Sequence, residues 1–237
     1  MNVYIYSSKW LPWDNTLFYI TNNWEISDHS KYNHTMNWYG TAQYETLSSW
    51  IKVADFSGSN LIYSASFNEA NSSTTFTMHC WFKAKSNTWE ASFSGWMWRN
   101  QNSSSTTDRW WAKWQRDNWT SKWYIIYWPS SSSRASNTNV AITQDTSNFA
   151  LYTVTINWWN VVLYKNAVQI WTWSWATIRW WSSTGTNISL WWNWSYSWAT
   201  GQLVACYIWE FILENKLETL SEIQNYFNST KSLYWIS

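Results

Sequence analysis

Apolar and polar side chains alternate along much of the chain, and residues 151–170 show the pattern most clearly. Tyr152, Val154 and Ile156 alternate with threonines, and apolar positions resume after four intervening residues. Alternation with a period of two predicts half-buried β-strands, and the short interruption predicts two short strands joined by a tight hairpin. The turn between them, residues 157–160, reads Asn-Trp-Trp-Asn.

Short apolar runs of the same kind recur at intervals of roughly ten residues. The predicted strands are residues 16–20, 51–56, 60–64, 75–84, 122–127, 187–190 and 203–213, with shorter candidates at 91–93 and 110–114 in an otherwise loop-rich region. Run 75–84 is apolar on both faces, as a central strand should be, and Trp81 is its predicted core indole. The spacing predicts an all-β fold, an antiparallel β-sandwich of jelly-roll type, over residues 16–237 after a lead-in at 1–15.

One helix is predicted, close to the end of the chain. Thr219 and Glu222 have the spacing of a capping box, and Leu220, Ile223 and Phe227 then fall on one helical face. We therefore expect a short C-terminal helix over residues 219–228 that packs on the sandwich.

The tryptophan content conflicts with this fold. The chain has 28 Trp and 5 Gly in 237 residues, and the indoles often stand between Ser, Asn and Thr, where turns need Gly. Trp158 and Trp159 occupy a two-residue hairpin loop, which requires positive φ and favours Gly or Asn. One hypothesis is that UGA codons for glycine have been written as tryptophan. The competing hypothesis is a truly Trp-rich adhesin that stacks sugars or bases on its indoles.

Charge and apolar content exclude several classes of protein. Lys and Arg total 15 against 14 Asp and Glu, so no basic field for nucleic acid is present. No apolar run predicts a membrane span, and the first residues do not form a standard signal peptide. Either export is arranged elsewhere or Met1 lies inside a longer protein. Cys80 and Cys206 both fall in predicted strands, so the sequence allows either one disulfide between them or two buried thiols.

Three blocks of sequence carry a family resemblance. They are Leu-Phe-Tyr at 17–19 with Asp-His-Ser-Lys-Tyr-Asn-His at 28–34, Phe-Thr-Met-His-Cys-Trp-Phe-Lys at 76–83, and the closing strand from 205 with the Leu-Ser-Glu-Ile that starts the helix. In this order and spacing the chain resembles the concanavalin A-like lectin and glucanase superfamily, specifically laminin G-like jelly-roll domains of bacterial surface proteins.

The resemblance implies a non-catalytic recognition or adhesion module, extracellular or on the cell surface, with a glycan or a surface protein as partner. Ligand contacts are expected in loops at one rim or on the concave sheet face, without named residues. Two alternatives stay open. One is a glycoside hydrolase-like sandwich with degenerate motifs, and the other is a structural subunit of a surface filament.

The resemblance also implies a structural calcium in some members, often with Asp just before the Glu of the closing strand. That position is Trp209 here, so this carboxylate is missing. Asp28 is the remaining candidate calcium ligand, and the alternative is an Asp that caps its own turn. His29 and His34 match no compact zinc motif and are interpreted as solvated loop histidines.

No catalytic pair is recognisable in the sequence. Hydrolases of the superfamily place carboxyl groups on one strand face, whereas Glu210 and Glu214 are four residues apart, about 13 Å along a strand. They are interpreted as a half-buried family glutamate and a rim charge, and His79 as a satisfied sheet residue. Basic residues between 99 and 122 lie among indoles, which would suit a surface that stacks single strands or sugars. The favoured interpretation of this region is a flexible polar loop system.

Overall fold

The computed structural model describes residues 14–21, 27–39, 41, 43–47, 52–56, 61–64, 69, 75–85, 93–100, 109–117, 120–130, 133–135, 140–141, 147–157, 160–174, 186–190 and 206–234. Side chains are described chiefly in one of its two sheets, in the helix and in the segments that flank them.

The fold is an antiparallel β-sandwich of two eight-stranded sheets. The first sheet carries all of the sites below. Its strands, in hydrogen-bonding order, are β14 (Val168–Ser174), β13 (Asn160–Lys165), β12 (Ala150–Asn157), β6 (Thr75–Ala84), β16 (Cys206–Glu214), β4 (Lys52–Phe56) and β3 (Tyr44–Thr46). Strand β1 (Thr16–Thr21) pairs with the second half of β16, and β4 pairs with the first half.

The second sheet also contains eight strands. Their order is β10 (Ser133–Ala135), β9 (Thr120–Ser130), β8 (Arg109–Asp117), β7 (Phe93–Asn100), β15 (Thr186–Leu190), β5 (Leu61–Ser64) and β2 (Met36–Tyr39), while β11 (Val140–Ala141) pairs with β9. The expected loop system between 86 and 120 was therefore wrong. Strands β7, β8 and β9 form a continuous antiparallel ladder there, built from long hydrogen-bonded runs that apolar periodicity alone underestimates.

The hairpin predicted from residues 151–170 is confirmed and extends to a third strand. Asn157 pairs with Asn160, so two residues connect β12 to β13, and residues 158–159 themselves lie outside the described residues. A second turn, Asn166 and Ala167 with φ of 50° and 61°, joins β13 to β14. The Asn166 side chain accepts a hydrogen bond from the backbone N–H of Leu151, which fixes this turn to the start of β12.

The first sheet has two faces of different chemistry. We call one the apolar face, and on β6 it carries Phe76 and Cys80. We call the other the helix face, and on β6 it carries Thr77, His79 and Trp81. These assignments follow from strand alternation. Both faces are buried, so the polar positions of the helix face are covered rather than solvated.

Helix α1 (Leu220–Tyr234) covers the helix face. The predicted capping box is confirmed, because Thr219 N–H donates to the Glu222 carboxylate at 2.8 Å and Glu222 N–H donates to the Thr219 hydroxyl at 3.3 Å. The helix runs six residues beyond the predicted end. Ile223 is buried as expected, whereas Leu220, assigned to the same packed face, is 46% exposed because it stands in the first turn, beyond the sheet contact.

Trp81 is confirmed as a core residue, fully buried and stacked on Phe227 with ring centroids 5.9 Å apart. The disulfide that the sequence left open between Cys80 and Cys206 does not form. Cys80 is a buried thiol opposite Phe211, whereas Cys206 lies opposite Ala84. The two backbones are thus four positions apart along β6, about 13 Å at the usual strand rise, which exceeds disulfide reach.

Candidate functional site

The Asp28 loop, residues 27–35, is organised by one buried carboxylate. Asp28 is 2% exposed and forms an isolated β-bridge with Ile20. Its Oδ1 accepts the backbone N–H of Tyr19 at 3.0 Å and of Ser30 at 2.8 Å. Its Oδ2 accepts the Ser30 hydroxyl at 2.8 Å, the His34 backbone N–H at 2.9 Å and faces His34 Nδ1 at 2.5 Å. The carboxylate therefore ties both ends of the loop to strand β1.

His34 links this carboxylate to a second one. Its Nε2 lies 3.0 Å from Oε2 of Glu69, and its side chain is only 6% exposed. Burial alone lowers the pKa of His34, but the hydrogen bonds and negative charges of Asp28 and Glu69 outweigh burial and raise it. Burial likewise raises the pKa of Asp28, and hydrogen bonds from His34 and from three backbone N–H groups reverse this and lower it. Each ring nitrogen of His34 thus faces a carboxylate oxygen, an arrangement that favours the imidazolium form.

The outward side of the Asp28 loop presents polar and aromatic groups. Tyr32 is 38% exposed, and the Lys31 ammonium lies 5.2 Å from the centroid of its ring. Lys31 also donates to the Asp14 backbone carbonyl at 2.9 Å. Asn33 closes the turn with φ of 49° and donates its N–H to the Ser30 carbonyl at 3.1 Å. The exposed tyrosine therefore projects from a loop whose backbone is fixed from below.

Asp28, the candidate calcium ligand, is already surrounded by hydrogen-bond donors of the protein. Five protein donors surround the two oxygens of Asp28, so their positive hydrogens occupy the directions that a cation would need. The arrangement is that of an Asp that caps its own turn, and calcium binding by Asp28 stays a prediction. The interpretation of His29 as a solvated loop histidine agrees with its exposure. That interpretation was wrong for His34, because Asp28 and Glu69 enclose it.

A second polar cluster lies on the helix face under α1. Glu210 is 1% exposed and accepts the Tyr226 hydroxyl at 2.6 Å, and Glu214 is 0% exposed. The two glutamates pair with Trp81 and Thr77 of β6, which confirms that they share one face. Their interpretation as half-buried and rim residues was wrong, because the helix and the chain that leads into it cover both.

His79 occupies the centre of this cluster. Its Nδ1 lies 2.9 Å from the Thr153 hydroxyl and its Nε2 lies 2.9 Å from Glu218 Oε2. Burial would lower the pKa of His79, but the charge of Glu218, with Glu214 and Glu210 nearby, outweighs burial and raises it. The prediction of a satisfied sheet histidine is confirmed, since both ring nitrogens have partners.

Glu214 and Glu218 form a carboxyl pair that the sequence did not reveal. Burial and the neighbouring charge of Glu218 raise the pKa of Glu214 to about 7. Oε2 of Glu214 has no N–H or O–H donor within hydrogen-bond distance. A proton on Glu214 removes an unsolvated negative charge from this buried position, which agrees with the raised pKa.

The carboxyl pair lacks the setting of a hydrolytic site. In glycosidases the two carboxyl groups flank a cleft that holds the sugar. Here the Glu214 side chain is buried and the Glu218 side chain is 9% exposed, beneath the helix. The pair therefore lies beneath the helix, whereas Lys31 and Tyr32 of the Asp28 loop are exposed.

Glu69, Glu218 and Tyr226 are the residues of these clusters that sequence reasoning missed. Each meets its partner across at least 16 residues of chain, and Glu218 meets His79 across 139. The one local signal was the capping box next to Glu218, which placed this residue at the helix entrance. Among the described residues no helix is long and apolar enough to cross a membrane.

Comparison with known proteins shows the fold. No family model and no curated protein matches the chain. Similar solved structures are botulinum neurotoxin type C (TM-score 0.67, 16% identity), the binding domain of botulinum neurotoxin serotype D/C (0.67, 16%) and the binding domain of Paraclostridial Mosquitocidal Protein 1 (0.62, 18%). The matches cover 92% of this chain and 51–52% of theirs, so it spans about half their length. At this identity they establish an antiparallel β-sandwich shared with toxin binding domains.

Proposed function

We propose that the chain is a non-catalytic module that binds a carbohydrate or protein ligand, and that the Asp28 loop forms part of the binding surface. The observation that carries this proposal is the combination of an exposed Tyr32 with a loop held by five contacts to the Asp28 carboxylate, three from backbone N–H groups and two from side chains. Binding residues are commonly loop residues positioned by a rigid scaffold, and tyrosine offers a large contact area with little entropy to lose.

The similar structures support the class of ligand. Interaction with two ganglioside molecules is described for botulinum neurotoxin type C, and binding domains of botulinum neurotoxin DC have been solved with rat synaptotagmin II and with SialylT. This chain corresponds to half of each, so their ligands define a panel to test rather than an assignment. Location at the cell surface or outside the cell is part of the same proposal.

Within this class, the three sequence blocks favour a concanavalin A-like domain of the laminin G-like type. We also infer that UGA-encoded glycines are written as tryptophan at turn and bulge positions. Trp209 is the extra residue of a β-bulge in β16, between the paired Ile208 and Glu210, and bulges in strands are common sites of glycine. The mass of the peptide that spans residues 158–159, from the native source, tests this inference directly.

Tyr32→Ala tests the proposed binding surface. The full chain is applied to a glycan array and to ganglioside liposomes, and each hit is measured again with the variant. Truncation of an anchoring tyrosine at a binding surface costs about 2 kcal/mol, on the order of thirtyfold in Kd. Tyr44→Ala is the matched control, because Lys52 lies 4.1 Å from the Tyr44 ring in a similar cation–π pair on β3 and β4. Equal loss in both variants contradicts the assignment of the Asp28 loop.

The alternatives make different predictions in the same experiments. A silent glycan array together with self-assembly of the chain supports a structural filament subunit. Release of reducing sugars from a polysaccharide panel supports a hydrolase, and Glu214→Gln should then abolish it. The burial of the Glu214 and Glu218 pair argues against that outcome.

A further inference from the structure

His34 joins the Asp28 loop to a residue outside it. Its Nδ1 lies 2.5 Å from Oδ2 of Asp28, and its Nε2 lies 3.0 Å from Oε2 of Glu69, which is 35 residues further along the chain. The side chain of Asp28 is fully buried, that of His34 is 6% exposed and that of Glu69 is 27% exposed. One ring therefore bridges a buried carboxylate and a carboxylate that still reaches water.

The number of hydrogens on the His34 ring decides how many of these contacts it can hold. An ionised carboxylate only accepts hydrogen bonds, so each ring nitrogen that faces one needs an N–H group. The imidazolium has two N–H groups, whereas the neutral ring has one N–H group and one lone pair. Loss of a proton therefore leaves one of the two contacts with facing lone pairs, whichever nitrogen keeps its hydrogen.

The contact with Glu69 is the one expected to break. Loss of the Nδ1 proton would place the ring lone pair against the buried negative charge of Asp28, which is costly. The Glu69 carboxylate keeps contact with solvent and can turn to water at low cost. The neutral ring therefore keeps its hydrogen on Nδ1 and faces Glu69 with a bare Nε2.

The same ring lies beside Tyr32, the exposed residue of the proposed binding surface. The ring centroids of His34 and Tyr32 are 5.7 Å apart, and the Lys31 ammonium lies 5.2 Å from the Tyr32 centroid. Strand β1 contributes the uncharged Phe18 ring, 6.0 Å from His34. A change in the charge or position of His34 therefore reaches Tyr32 directly. A tyrosine that is fixed before binding loses less freedom when the ligand binds.

We propose that His34 makes ligand binding by the Asp28 loop depend on pH: the protonated ring bridges Asp28 and Glu69 beside Tyr32, and loss of the Nε2 proton frees Glu69 and weakens binding. This pH dependence rests on the proposed function of the loop, whereas the bridge can be tested without a ligand.

The direction of the effect follows from the charges that face His34. Burial alone lowers the pKa of His34, but its hydrogen bonds to Asp28 and Glu69 and their negative charges outweigh burial and raise it above 6.5. The bridge is then complete below 6.5 and is lost as pH rises through the folded value. The lowered pKa of Asp28 keeps its own carboxylate ionised over the same range. Binding should therefore be tightest in mild acid.

Nitrogen NMR of the full chain tests the bridge in the absence of ligand, between about pH 6 and about pH 9, a range in which histidine titrates. Both ring nitrogens of His34 must carry hydrogens at the acidic end. After titration the hydrogen must remain on Nδ1, in contrast to the Nε2–H form that free histidine prefers, and the Tyr32 ring signals must shift with the same midpoint. A neutral ring with its hydrogen on Nε2, or Tyr32 signals that ignore this titration, overturns the proposal.

The binding arm uses phosphatidylcholine liposomes that contain mixed gangliosides, together with any hit from the glycan array. Affinity is expected to fall about fivefold across the same pH range, the scale of a partly exposed ion pair. Glu69→Gln should abolish this fall, because its amide can accept a hydrogen bond from the imidazolium or donate one to the bare Nε2. Glu45→Gln is the matched control, an exposed glutamate on β3 that accepts the Tyr207 hydroxyl and lies outside the Asp28 loop.

The outcomes separate the two proposals. A fall in affinity that persists in Glu45→Gln and disappears in Glu69→Gln supports the role of His34. Binding that needs Tyr32 but does not change with pH, or a pH dependence that Glu69→Gln leaves unchanged, overturns that role and leaves the proposed function intact. Absence of binding at every pH, or binding that Tyr32→Ala does not weaken, refutes the loop as the binding surface. The control of binding by His34 then fails with it, even where the ring nitrogens titrate as expected.

Discussion

Replacement of Asp28 by Asn is the sharpest test of how the exposed loop is held. The substitution keeps the shape of the side chain, removes its charge and turns one acceptor into an NH₂ group. Whichever way the amide turns, this NH₂ group faces donors, either the two N–H groups at Oδ1 or the three groups at Oδ2. Removal of one partner from a buried, hydrogen-bonded ion pair costs about 3–5 kcal/mol.

The loss should not reach the sum of five charged hydrogen bonds at about 1.5–3 kcal/mol each, because the remaining amide oxygen still accepts some of them. We therefore expect Asp28→Asn to lower the free energy of unfolding by about 3–5 kcal/mol. Asp55→Asn is the control. Asp55 pairs with Lys85 at 2.5 Å, but their side chains are 15% and 21% exposed. A half-buried pair that keeps partial contact with water contributes less than a fully buried one, on the order of 1 kcal/mol.

Urea unfolding followed by circular dichroism, repeated across pH, provides the assay. The lowered pKa of Asp28 contributes stability that is present above its ordinary value and lost as pH falls through the folded value. The raised pKa of His34 contributes stability that is present below 6.5 and lost as pH rises through the folded value. Asp28→Asn should weaken the pH dependence of the free energy of unfolding on both the acidic and the basic side. A loss of unfolding free energy no larger than that of Asp55→Asn, with the pH dependence unchanged on both sides, would refute the reasoning.

Three further substitutions test the fold around the sites, each by urea unfolding. Trp81→Ala should lower the free energy of unfolding by about 3–5 kcal/mol, because it empties a fully buried position against the helix. A loss no larger than that of Trp171→Ala, at a half-buried position, would contradict this. Thr219→Ala should cost about 1 kcal/mol through loss of the N-cap, and an unchanged midpoint would show that the cap is dispensable. Replacing both Trp158 and Trp159 by Gly should raise the free energy of unfolding by about 1–2 kcal/mol. The paired Asn157 and Asn160 leave a two-residue loop, and such loops need positive φ, which Gly adopts most easily. Destabilisation would argue that the indoles are genuine.

The sequence predicted the elements whose signal is local. Strand β6 was expected at residues 75–84 and is found at Thr75–Ala84, because a run that is apolar on both faces has few alternatives. The helix was placed within one residue at its start, since the capping box is a local motif. Its end was missed because Thr230 and Leu233 extend it through tertiary contacts, with Thr230 buried and Leu233 packed near Trp81.

The sites were less predictable because their partners are remote. Asp28 and His34 could be singled out as a pair, since they lie in one loop, but Glu69 completes the cluster from 35 residues away. On the helix face, alternation correctly placed Glu210 and Glu214 on one side of β16, yet it could not show that the helix returns to bury them. A period of two assigns side chains to faces, and only the packing of the whole chain decides which face meets water.

The helix face is more polar than the packing of a helix on a sheet requires. Three glutamates and a histidine lie under one helix, where apolar side chains of similar volume would stabilise the contact at least as well. The polar arrangement instead joins the helix region to the sheet through specific contacts, between Tyr226 and Glu210 and between Glu218 and His79. The Asp28 loop also uses buried charge, because His34 lies between the carboxylates of Asp28 and Glu69. Buried charge therefore has two positions on this sheet, one that holds the Asp28 loop to strand β1 and one that seats the helix across the helix face.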